Sequence, residues 1–138
     1  MKERFFQFAK ECALSSEFTG ASRAKVGCVV VWKNTIIAKS SNLTRTSPAQ
    51  YKYNKLRFET DGPHYYPSCV HAEIAAISKI KYLDIDFSKV DVYVYRQLAD
   101  GTKANARPCA ACEAAMRDLG IKHVCYTMNN SFIEEWYT

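Results

Sequence analysis

Apolar positions recur along the chain at two spacings, and the change from one to the other marks the elements. Phe5, Phe6, Ala9, Cys12 and Ala13 share one face at helical spacing, which predicts an amphipathic helix ending before Gly20. Residues 26–32 form a short β-branched, apolar run, and 35–40 return after a turn at Lys33 and Asn34. That pattern predicts a hairpin whose first strand is buried on both faces. Ala72, Ala75, Ala76, Ile77 and Ile80 give residues 70–83 a helix with a small-residue face that can pack closely on a sheet. The alternation at 90–95 predicts a strand, as does the run at 123–128. Between those strands, Pro108 suits the first turn of a helix and Gly120 its end.

Two stretches break the pattern. Residues 41–69 have no clear period and contain Pro48, Pro63 and Pro67; so long a connection is expected to be functional or to hide short helices. Ten residues follow Met128, too few for a crossover and a further parallel strand. Asn129 and Asn130 suit a turn, so the chain is expected to end in an antiparallel strand at about 131–137. A terminal helical turn is the competing reading, because Phe132, Ile133, Trp136 and Tyr137 also fit one helical face. Helix, two strands, helix, strand, helix, strand is the order of an α/β fold in two or three layers. Its strand–helix–strand units imply parallel pairing in one mixed sheet. The expected organisation is a single domain over residues 1–138 with a long insertion or lid at about 43–69.

Composition narrows the class. A chain of 138 residues, 48% hydrophobic and 24% charged, can bury one core and is not globally disordered. Its charged, interrupted start has neither a signal-peptide core nor a membrane span, so the expected location is cytoplasmic, with no membrane partner. The net charge of +5 favours an anionic partner without choosing among free nucleotides, RNA and DNA. Six cysteines would suit a disulfide framework only in a secreted chain. Cys12, Cys28 and Cys125 lie in apolar stretches and read as small core hydrophobes; His123, opening a strand, reads as structural.

Cys109 and Cys112 differ, standing directly after Pro108 at a predicted helix start, while His71-Ala72-Glu73 opens the preceding helix. Two thiolates and an imidazole supply three of zinc's four tetrahedral positions and leave the fourth to water. A helix amino terminus favours the thiolate that binds metal. Glu73, two residues beyond His71, is expected to point away from the ligands and reach the water. Zinc lowers the pKa of water from about 15.7 to roughly 7, and an adjacent carboxylate can carry its proton to a ring nitrogen and help expel ammonia. Cys-x-x-Cys alone fits a redox pair or half a zinc ribbon, and His-x-Glu alone a solvated pair. Together, in this order and with the proline, they form the signature of zinc deaminases.

On these residues the chain resembles the cytidine and deoxycytidylate deaminase superfamily over about 23–128. The likeness also includes Val26-Gly27-Cys28-Val29-Val30, Ser41-Asn42 and the run from Gly120 to Tyr126. It implies a five-stranded sheet flanked by helices and hydrolytic loss of ammonia, with one Zn2+ held by His71, Cys109 and Cys112 and Glu73 catalytic. It further implies Asn42 at the sugar, Val26 lining the base pocket and Tyr126 near the base, with the backbone around Ala72, Arg107 and Pro108 reading the ring's polar edge. His71 is similar to the deoxycytidylate and tRNA-adenosine branches, whereas the short tail is similar to cytidine-deaminase-like folds. Arg107 stands where many relatives have a small residue or glutamate.

The expected substrate is a small cytosine nucleotide or nucleoside, with deoxycytidylate preferred. A base in single-stranded DNA or RNA is the alternative, and a non-catalytic zinc-binding module, which intact Glu73 disfavours, is a third. Residues 43–69 mix Arg45, Lys52, Lys55 and Arg57 with Tyr51, Tyr53, Phe58, Tyr65 and Tyr66. They are read as a lid with its own small core, one or two of whose cations can meet phosphate. His64 and Cys69 raise a second zinc site there, without evident further ligands. The resemblance also implies a homo-oligomer.

Overall fold

The β-branched run near the start of the chain becomes an inner strand of a five-stranded sheet. A computed structural model of the protein describes residues 2–16, 24–44, 47–61 and 70–138, with 57–61 described by backbone alone. In chain order the elements are α1 (Glu3–Leu14), β1 (Lys25–Trp32), β2 (Thr35–Ser41), α2 (Pro48–Asp61), α3 (Ala72–Ile80), β3 (Asp91–Gln97), α4 (Ala110–Leu119), β4 (His123–Met128) and β5 (Ser131–Trp136). The strands lie in the order β2-β1-β3-β4-β5. Both hairpins turn through pairs of left-handed residues, Lys33–Asn34 and Asn129–Asn130, whose twist matches that of the strands they join.

Helices cover both faces, which decides for three layers. On one face Phe5, Phe6, Ala9 and Ala13 of α1 pack on Val29, Val31, Tyr93, Tyr95 and Cys125. On the other, Ile74, Ile80, Ala115 and Met116 of α3 and α4 pack on Cys28, Val30, Val92, Val94 and Val124. β1 therefore buries both of its faces, as its unbroken apolar run requires. α1 approaches β1 so closely that a Cβ at Gly27 would lie 2.0 Å from the Ala9 carbonyl oxygen and 2.4 Å from the Ala13 nitrogen. Only glycine fits that crossing.

Two expectations are corrected, on strand pairing and on Pro108. Of the two strand–helix–strand units, only β3–α4–β4 joins paired parallel strands; β2 and β3 both pair antiparallel with β1, which lies between them. The segment without a clear period does hide a helix, the 14-residue α2. Its deepest anchor is Gln50, fully buried and polar, so no apolar stripe announces it. Pro108 precedes the cap residue Cys109 of α4 rather than entering its first turn. The antiparallel ending is as expected: β5 pairs with β4 from Met128↔Ser131 to His123↔Trp136. No helix among the described residues is long and apolar enough to cross a membrane.

Candidate active site and metal centre

The two motifs meet because two helices begin at the same place. His71 caps α3 and Cys109 caps α4, both in extended backbone, while Cys112 sits in the first turn of α4. His71 Nδ1 lies 3.3 Å from Cys112 Sγ and 3.6 Å from Cys109 Sγ. Metal–sulfur bonds of about 2.3 Å and metal–nitrogen bonds of about 2.0–2.1 Å place tetrahedral N and S donors ~3.5–3.6 Å apart. The three donors thus fit a zinc ion. Their ligand atoms lie within 4.8 Å of one another, and the helix amino termini favour the thiolate charge.

The cysteines divide their proton unequally. Hydrogen bonds from Cys112, then His71, draw the Cys109 thiol down to about 4, against the burial that opposes it. Cys112, bonded to that anion and buried, is pushed well up. Glu73 lies in the first turn of α3, 6% exposed, and is near enough to Cys112 to influence its proton. Burial raises its carboxyl above the ordinary range, although His71 pulls the other way.

Other residues hold the two helix starts in position, and the sequence reading named none of them. The buried Gln50 amide oxygen accepts from the His71 backbone N–H at 2.9 Å, and its Nε2 donates to Asn54. Ser40 Oγ donates to the Ala72 carbonyl at 2.6 Å, tying β2 to α3. On the α4 side, Thr127 accepts from Arg96 N–H, donates to the Ala104 carbonyl, and receives Ala106 N–H on its own carbonyl. That lattice carries the chain toward Arg107-Pro108-Cys109. A neutral Gln, Ser or Thr has no sequence signal of its own; only the buried neighbour reveals it.

The residues expected at substrate divide into two groups. Asn42 Oδ1 accepts from Ser16 Oγ and Val26 N–H, and its Nδ2 donates to the Ala24 carbonyl, so this amide pins the entrance to β1. Val26 is half-buried against the α3/α4-side core. Arg107 makes a two-pronged ion pair with Glu135 of β5 at 3.0 and 3.2 Å, and Tyr126 donates to the same carboxylate at 3.0 Å. Glu135 joins these two expected residues, and only the final strand's register brings it there. Arg45, His64, Tyr65, Tyr66 and Cys69 lie outside the described residues, as do the side chains of Arg57 and Phe58.

Residues 1–128 match the family described as the cytidine and deoxycytidylate deaminase zinc-binding region. The fold is similar to a crystal structure of a cytidine deaminase from Burkholderia pseudomallei, with 16% identity and a TM-score of 0.65 over 99% of this chain and 92% of that one. It is also similar to apo dCMP deaminase from the cyanophage S-TIM5, with 22% identity and a TM-score of 0.59 over 91% and 84%. The same enzyme in complex with dCMP and dUMP is 25% identical, with a TM-score of 0.55 over 91% and 82%. No curated protein matches the sequence. With the match running through both halves of the metal motif, this chain belongs to the cytidine and deoxycytidylate deaminase family, which supports zinc-dependent deamination of cytosine compounds as its chemistry.

Proposed function

We propose that the chain hydrolyses the amino group of a cytosine nucleotide, deoxycytidylate in preference to the free nucleoside, giving the uracil product and ammonia. The observation that carries this is the convergence of His71, Cys109 and Cys112 beside buried Glu73. The three ligands hold the metal, which when bound makes water acidic enough to attack near neutral pH. Glu73 would take one proton from the attacking water and pass it to the ring nitrogen, then take the proton left on the added hydroxyl and pass it to the amine, which departs as ammonia. A carboxyl raised by burial suits a group that must both accept and return a proton.

The family likeness supports the substrate roles. Asn42 has a second Nδ2 hydrogen for a sugar hydroxyl, beyond the one given to Ala24. Val26 lines the base pocket and Tyr126 borders it, with its hydroxyl turned to Glu135. The backbone of Ala72, Arg107 and Pro108 reads the polar edge of the base. Preference for the monophosphate is supported by the 25%-identical phage enzyme, which binds dCMP and dUMP. A single zinc ion is the cofactor at this site.

An ammonia-release assay over nucleosides, their monophosphates and oligonucleotides tests the proposal, with Glu73→Ala as the control. Turnover of deoxycytidylate, abolished in Glu73→Ala at unchanged zinc content, is the expected result. Full activity in Glu73→Ala would end the proton-carrier assignment. Turnover of oligonucleotides alone would replace the free nucleotide by a base in single-stranded nucleic acid.

A further inference from the structure

A second group of metal-binding side chains lies on the opposite face of the sheet. His123 and Cys125 alternate along β4, so both point to the α1 side, and Glu134 stands directly across from Cys125 on β5. One ligand atom from each comes within 4.8 Å of the other two. His123 Nε2 lies 2.9 Å from Glu134 Oε2, and Cys125 Sγ lies 3.6 Å from the same nitrogen. The N···S separation equals the ~3.5–3.6 Å edge of a tetrahedral zinc site. The N···O separation is a hydrogen-bond distance, about half an ångström shorter than such a site wants, a gap that a small shift of the partly exposed Glu134 side chain would close. Its side chain is 44% exposed, while that of His123 is 6% exposed.

Three features distinguish this group from a chance pairing. Asp91 of β3 binds the other ring nitrogen, Nδ1, at 2.7 Å. A carboxylate on the far nitrogen is the usual support of a metal-bound histidine, because it fixes the tautomer and turns Nε2 toward the ion. Trp136 stacks on the imidazole at 3.9 Å and 19°, holding the ring plane. The donors are one imidazole, one thiol and one carboxylate, a set that suits a borderline divalent ion.

We propose that His123 Nε2, Cys125 Sγ and Glu134 form a second divalent-metal site of the zinc class, oriented by Asp91 and separate from the deaminase centre. The sheet lies between the two sites, so the proposal stands whether or not the substrate assignment above holds. Binding replaces the His123 Nε2–Glu134 contact by bonds to the ion and releases the Cys125 thiol proton, with any proton on Nε2, to solvent, leaving the remaining coordination position to solvent on the exposed Glu134 side.

Equilibrium dialysis of the zinc-loaded chain against Co2+ tests it by counting total zinc plus cobalt per chain. The expected total is two, with a thiolate-to-cobalt absorption band and quenching of Trp136 fluorescence from the second ion. Glu134→Gln changes an exposed side chain and should lower the total to one without touching deaminase activity. Cys125→Ser should remove the thiolate band, and Asp91→Asn should weaken the second ion by about 10- to 100-fold. A total of one in the unaltered chain overturns the proposal. So does a total of two that persists in Glu134→Gln, whether or not Cys125→Ser folds.

Discussion

The two faces of the sheet each bring together a histidine, cysteine and a glutamate, yet they are built for different chemistry. On the α3/α4 face the donors stand at two helix amino termini, and the glutamate is 6% exposed. On the α1 face they project from strands, whose dipoles largely cancel, and Glu134 is 44% exposed. The first arrangement favours a thiolate at Cys109 and sets a raised carboxyl beside the ligand group. In the second, His123 and Asp91 hold Glu134 and the ring in a hydrogen-bonded clamp, and burial pushes the Cys125 thiol up to about 12. Residue types alone do not make a catalytic centre. Helix termini and a buried acid do.

The largest test of this contrast exchanges the two glutamates for glutamine. Glu73→Gln should cut kcat by about 10²–10⁴-fold with zinc retained, while Glu134→Gln leaves turnover unchanged. Comparable losses in both variants would erase the distinction between the faces. Next in size, Phe6→Ala should cost about 3–5 kcal/mol in urea unfolding, because Phe6 is buried between Phe132 and Tyr93. Activity per folded molecule should persist, since α1 supports the sheet from the side away from the deaminase centre. A selective loss of turnover without loss of stability would contradict that separation.

Smaller effects sharpen the account of how the helix starts are held. Gln50→Leu leaves the His71 N–H without its buried acceptor and should cost about 1–3 kcal/mol, with weaker zinc retention in a chelator competition. Unchanged stability and zinc affinity would show that α2 does not position α3. The smallest effect expected is in Glu135→Gln, under about 1 kcal/mol, because Arg107 is more than half exposed. The Arg107 hydrogen bond holds the Glu135 carboxyl below its ordinary 4.5. This contribution is therefore complete above pH 4.5 and fades as pH falls through the lower folded value, so the two chains should converge in acid. A stability difference that grows on acidification would reverse the sign and exclude the pair as its source.

Much of this was legible in the chain. His71, Glu73, Cys109 and Cys112 could be singled out because a tetrahedral metal site demands few residue types at tight spacing, and helix starts fix their direction. The antiparallel last strand followed from ten residues and two asparagines. α2 was not legible, because its buried contact is an amide and not an apolar stripe. Ser40, Thr127 and Glu135 were equally silent, each given its role by a partner 9 to 32 residues away.

The sequence by itself determined the α/β class and singled out the His71, Cys109 and Cys112 group that could hold the metal. Period and spacing are local properties that a chain carries before it folds. Only the tertiary structure decided that β1 separates β2 from β3, that Gln50 and Ser40 hold the start of α3, and that Asp91, His123, Cys125 and Glu134 converge on the other face. Those are products of strand order and register, in which residues far apart in the chain become neighbours only once the sheet has closed its ladder.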